Sequence, residues 1–111
     1  MPHYLCKLKP PRPTFLKDMT PEEAMVMRGH REYWMPWVEI GAVIAMGPVA
    51  DPAGAYGVAI IEAPSLGALE AMQACDPAIV AERGFAYENF LMPTIAVRPS
   101  KPLAPITSVT P

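Results

Sequence analysis

A chain of 111 residues, 51 % hydrophobic and 18 % charged, has material for one folded domain and no room for a second core. Its formal net charge is −2, its pI is near 5.6, and its nine lysines and arginines are spread singly from Lys7 to Lys101. Binding nucleic acid through clustered positive charge is excluded by that scatter, and no stretch approaches the ~18 uninterrupted apolar residues of a membrane helix.

In chain order, His3 to Lys9 alternates as a strand. Pro10, Pro11 and Pro13 end it and open an irregular loop through Met19. Thr20-Pro21-Glu22-Glu23 then starts a helix, with Thr20 at N-cap, Pro21 at N1 and Glu23 closing a capping box. This helix is expected to run to about Ile40 and stop at Gly41, with Pro36 bending or breaking its last turns. Ala42 to Val49 reads as a second strand interrupted late by Gly47-Pro48, and Asp51 to Gly54 as a turn. Tyr56 to Glu62 is the third strand, forming a hairpin with the second. Ser65 caps a second helix through about Ala74, and Asp76-Pro77 restarts the chain as N-cap and N1 of a short helical segment closed by Gly84. Phe85 to Val97 is the last extended element, confined by Pro93 to an edge or a bulge.

The order strand, helix, strand, strand, helix, strand is the split βαβ, ferredoxin-like arrangement: an α+β fold with helices on one face of an antiparallel sheet. Residues 1–98 form this domain, and residues 99–111 a proline-rich tail without apolar periodicity. In the second and third strands both alternating sets are apolar, so the face away from the helices also needs cover. A second copy of the same sheet is the simplest cover, and a homodimer is expected.

On a helical wheel at about 100° per residue, Val26, His30, Tyr33, Trp37 and Ile40 fall within an arc of about 80°, flanked by Met27, Trp34 and Val38. His30 therefore lies in the buried stripe among aromatics and needs a partner. Either it is a core histidine satisfied by a backbone carbonyl, or it is a general acid or base at the mouth of an apolar pocket. Asp76 is the natural partner, because one carboxylate oxygen can cap a helix while the other faces the imidazole and fixes its tautomer. Gly47-Pro48 reads as a bulge before the hairpin or as bare backbone open to a ligand, and Tyr33, Trp34, Trp37, Tyr56 and Tyr87 as core or interface, or as walls for a planar molecule. Cys6 and Cys75 lack CxxC spacing and are expected to be reduced thiols; two histidines and two unpaired cysteines do not make a metal site. Met1-Pro2-His3-Tyr4 does not begin a secretion signal, so a cytoplasmic protein without membrane or nucleic-acid partners is expected.

The run His30, Gly41, Gly47-Pro48, Asp51, Gly57, Ser65, Asp76-Pro77 and Arg98-Pro99 resembles the YCII-related family of small dimeric α/β-barrel proteins, over about residues 3 to 99. That resemblance implies two sheets packed face to face in a homodimer, with a His–Asp pair between helices and sheet. By position the pair is His30 and Asp76. One branch of the family looks like a lyase that removes chloride from a chlorinated hydroxyquinol through such a dyad. This chain departs from the usual pattern in its longer proline-rich loop, in Pro36, and in Ala78 after Asp76-Pro77. The first functional expectation is a cofactor-independent lyase or isomerase, with His30 and Asp76 catalytic and Tyr33, Trp34, Trp37, Gly47 and Pro48 against the substrate. The Gly47 backbone would meet developing negative charge. A non-enzymatic dimer that binds a small molecule is the alternative, and a cofactor-free oxygenase, by fold analogy alone, a third.

Overall fold

The computed structural model describes residues 1–99, so the reading of the tail beyond Pro99 lies outside the described residues. The elements are β1 (His3–Lys9), α1 (Phe15–Asp18), α2 (Pro21–Glu39), β2 (Val43–Val49), β3 (Tyr56–Glu62), α3 (Leu66–Ala74), α4 (Pro77–Val80) and β4 (Ala86–Met92). The four strands form one antiparallel sheet in the order β2-β3-β1-β4. The fold is α+β, compatible with the expected split βαβ arrangement. No helix among the described residues is long and apolar enough to cross a membrane.

Strand periodicity decides which side chains meet the helices. Tyr4, Cys6 and Leu8 on the central strand β1 are buried, whereas Leu5 and Lys7 between them are half-buried on the other face. Register carries the alternation across the sheet: Tyr4 lies opposite Ile61 and Leu91, Cys6 opposite Ala59 and Asn89, and Leu8 opposite Gly57 and Tyr87. Tyr4, Cys6, Val43 and Ile61 join Trp34 from α2 and Leu69 from α3 in the core. Fully burying a side chain of this size stabilises by about 1.5–3 kcal/mol, so this cluster is the main cohesive element. Leu5, Val58, Ile60 and Phe90 share the opposite face, where Phe90 is 49 % exposed.

Helix α2 begins as its sequence dictates. The Thr20 hydroxyl accepts the Glu23 N–H at 3.2 Å, and the Glu23 carboxylate accepts the Thr20 N–H at 2.9 Å. At the other end Gly41 takes φ +91°, a left-handed conformation that lets the chain leave the helix. Two expectations for α2 are corrected. Of the two outcomes expected at Pro36 the break does not occur, since the helix runs on to Glu39; Pro36 and Glu32 are both exposed, so the carbonyl deprived of its partner lies on the solvent side. Ile40 is 73 % exposed and Trp34 only 2 %, so the buried stripe follows Glu23, Met27, His30, Trp34 and Val38. Ile40 escapes burial because it stands beyond the last helical residue as C-cap.

The proline-rich segment is not wholly irregular, since it contains the single turn α1. Arg12 organises it. Its guanidinium donates to both Glu23 oxygens at 2.7 and 2.8 Å, to Asp18 Oδ1 at 2.7 Å and to the Asp18 carbonyl at 2.9 Å. The Arg12 bonds, with the Thr20 N–H, hold the Glu23 carboxyl down at about 2. Phe15, 3 % exposed, meets Phe85 edge to face with centroids 5.2 Å apart, and fastens α1 to the end of the sheet. Prolines hid this turn, because they obscure the apolar spacing around Phe15 and Leu16.

Strand β4 ends at Met92, immediately before Pro93, and not at Val97. β2 runs through Gly47-Pro48 to Val49 without the late interruption expected there. β2 is an edge strand, so a residue without an N–H can be accommodated there. A register shift between Val43 and Ala45 marks a bulge in β2.

Candidate active site

Asp76 is fully buried at the N-cap of α4. Its Oδ1 accepts the Ala78 N–H at 2.9 Å, the local bond expected of Asp before Pro at a helix start. Its Oδ2 meets donors from two other elements: His30 Nδ1 at 2.7 Å and Trp34 Nε1 at 2.9 Å from α2, and the Tyr87 hydroxyl at 2.5 Å from β4. Burial pushes the carboxyl up, but the bonds from His30, Tyr87, Trp34 and Ala78 outweigh it and hold the group below its ordinary value of 3.8. The carboxylate is ionised at neutral pH. Burial, and secondly the bond to this carboxylate, raises the Tyr87 hydroxyl, which stays a donor.

The ionised Asp76 fixes the histidine. An acceptor-only partner at Nδ1 requires the proton there, which leaves the neutral ring's lone pair on Nε2. The His30 side chain is 16 % exposed, and Nε2 has no hydrogen-bond partner among the described residues. Among the described residues no buried side-chain nitrogen or oxygen lacks a partner, so Nε2 is open to its surroundings. Those surroundings are a cavity of ≈ 570 Å³ between α2, α1 and the sheet, with His30, Trp34, Gly47, Pro48 and Tyr87 in its wall. That volume suits a small organic molecule.

The expected pair thus meets in space, and Trp34, Gly47 and Pro48 border the same cavity. Trp34 serves two purposes, walling the cavity and donating to Asp76. Tyr33 and Trp37 do not border it. The Tyr33 hydroxyl donates to the Met72 carbonyl at 2.6 Å and its ring props Trp34 edge to face at 5.0 Å, while Trp37 packs against the core. Four residues apart, the two share one flank of the helix, from which Tyr33 reaches α3. The Gly47 backbone conformation does not demand glycine, and an added Cβ would meet nothing within 4 Å.

Sequence reasoning did not assign Tyr87 to Asp76 or bring Phe15, Leu16 and Met19 to the cavity. The alternation of β4 about the Leu8–Tyr87 pair was the available signal for Tyr87. Cys6 also borders the cavity, but burial pushes its thiol up to about 12, which keeps it protonated and poorly nucleophilic. Cys6 and Cys75 are both free thiols. Among the described residues no cluster of three or more His, Cys, Asp and Glu is placed to hold a metal.

Because the Asp76 carboxyl is held below 3.8, its contribution to stability is present above that value and is lost as pH falls through and below it. Tyr87→Phe removes one charge-assisted bond and should destabilise the protein by about 2 kcal/mol at neutral pH. The difference from wild type, read from urea unfolding, should narrow below about pH 4 as the carboxyl protonates. A constant difference across that range would separate Tyr87 from the ionised state of Asp76.

No model of a known protein family matches the chain, and no curated protein matches it.

Proposed function

We propose that this protein is a cofactor-independent lyase or isomerase in which His30 moves a proton on a small substrate and Asp76 orients it. The observation that carries this reading is the 2.7 Å contact between His30 Nδ1 and the buried Asp76 carboxylate, with Nε2 left beside a largely apolar cavity. The resemblance to the YCII-related family supports the same pair.

Nε2 takes a proton from carbon or oxygen of the bound molecule, and the imidazolium so formed is stabilised by Asp76. The electron pair left on the substrate then forms a double bond. In a lyase the leaving group departs with its own bonding pair; in an isomerase the imidazolium returns the proton to a different atom. Both courses balance without a further reactant. The Gly47 backbone, bare at the cavity wall, is where developing negative charge would be met. A binding protein without turnover is the second reading, favoured by the fact that His30, Trp34 and Tyr87 on Asp76 also act as a core tie.

The same reading includes a ferredoxin-like domain paired into a dimeric α/β barrel through the open face of the sheet. Leu5, Val58, Ile60 and Phe90 form its apolar centre, and Gly47, opposite Val58, presents no side chain to obstruct a close approach. The face is bordered by the His3–Glu62 and Lys9–Glu88 pairs, both at 3.1 Å, and by Lys7 lying 4.4 Å over the Tyr56 ring. A cytoplasmic location belongs to this proposal too.

Against a panel of small ring-bearing acids, lactones and quinols, His30→Gln should lower turnover by about 10²-fold or more, the usual worth of a positioned acid or base, while the protein stays folded. Wild-type activity in that variant, or no turnover of any panel member by wild type, would favour the binding reading. Sedimentation equilibrium should give twice the 12.1 kDa chain mass for wild type and the single-chain mass for Ile60→Asp. A monomeric wild type contradicts pairing through the sheet.

A further inference from the structure

The charge inventory of the cavity is one-sided. Among the described residues no aspartate or glutamate borders it, and besides His30 the one basic residue in its wall is Arg31. Asp76 is buried behind His30 and does not border the space. Arg31 is exposed at the adjoining helical position and makes no ion pair among the described residues, unlike Arg12, which is committed to Asp18 and Glu23. Its own helix offers it no carboxylate: the positions three and four residues away are Arg28, Met27, Trp34 and Met35. In a chain of net charge −2, this is a locally positive rim on an apolar cavity.

The walls constrain the rest of the ligand. Met19, Met27, Met35 and Met46 border the cavity. Thioethers adapt their shape and make favourable contacts at aromatic ring edges, so they suit a flat apolar body. A guanidinium presents paired N–H donors that match the two oxygens of a carboxylate. Arg28, one turn back, is absent from the described lining, so the cavity wall presents one guanidinium, which fits a single negative charge better than a phosphate dianion.

We infer that the cavity takes a small monocarboxylic acid with a flat apolar body, its carboxylate on Arg31 at the rim and its body among the methionines beside His30 Nε2. This names the substrate class for the site and rests on the proposed function only in taking the cavity as the ligand site. Arg31 sets specificity, and the apolar walls supply the bulk of the affinity through the area they cover.

The test is calorimetric titration of the full chain with 1-naphthylacetate and with its uncharged isostere 1-naphthylacetamide. Wild type should bind the acid about tenfold more tightly than the amide. Arg31→Gln should bring the acid down to the level of the amide and leave the amide unchanged, since an exposed side chain without described partners can be replaced without unfolding the helix. His30→Gln should keep the preference for the acid, which separates this inference from the catalytic reading: turnover can fail while the preference stands, and the reverse. Equal binding of acid and amide by wild type overturns it. So does a preference that survives Arg31→Gln, one that disappears in His30→Gln alone, or no binding of the acid at millimolar concentration.

Discussion

A carboxylate with no exposure to water must have its charge met by donors, and at Asp76 those donors come from three parts of the chain. His30 and Trp34 lie on α2, Ala78 on α4 and Tyr87 on β4, so a single side chain ties both helices to an edge of the sheet. An unpaired buried charge is costly, and each donor removed would leave the carboxylate less compensated. The geometry of the cavity follows from this constraint. Trp34 is held by its indole N–H, Tyr87 by its hydroxyl, and His30 by Nδ1, so each aromatic ring reaches the cavity wall already fixed. The Tyr33 ring against Trp34 adds support from behind.

The same constraint makes His30 suitable for chemistry. A histidine satisfied by a backbone carbonyl would have a fixed tautomer but no compensation for a positive charge. A histidine facing an ionised carboxylate has both, and its second nitrogen is left toward an apolar space. Around it the walls divide the labour. The sheet and α2 provide rigid surface, while α1, clasped to the N-terminus of α2 through Arg12 and Glu23, brings Phe15 and Leu16 to one side.

Much of this was legible in the sequence because the signals were local. The capping box at Thr20–Glu23, the Ser65 and Asp76 caps and the alternation of Tyr4, Cys6 and Leu8 gave the elements directly. The His30–Asp76 contact was legible for a different reason: a polar ring on a buried stripe requires a partner, and a helix-capping carboxylate has an oxygen to spare. What escaped were consequences of tertiary packing. The α1 turn depends on Arg12 reaching Glu23, eleven residues away, and nothing in a proline-rich stretch announces it. Tyr33 and Trp37 shared an arc with His30 on the wheel, yet the helix is rotated so that Trp34 faces the sheet and they do not border the cavity. Tyr87 sat on a strand whose position beside β1 had to be known before its hydroxyl could be assigned to Asp76.

The account stands on an ionised Asp76 that holds the proton of neutral His30 on Nδ1 and leaves Nε2 as the base. Nitrogen NMR of the histidine-labelled protein, recorded where His30 is uncharged, reads this tautomer directly from the two ring-nitrogen shifts. A protonated Nδ1 and an unprotonated Nε2 are predicted. The reverse tautomer, with the proton on Nε2, would mean that Asp76 is not the ionised acceptor described here, and the proposed acid–base dyad would be wrong.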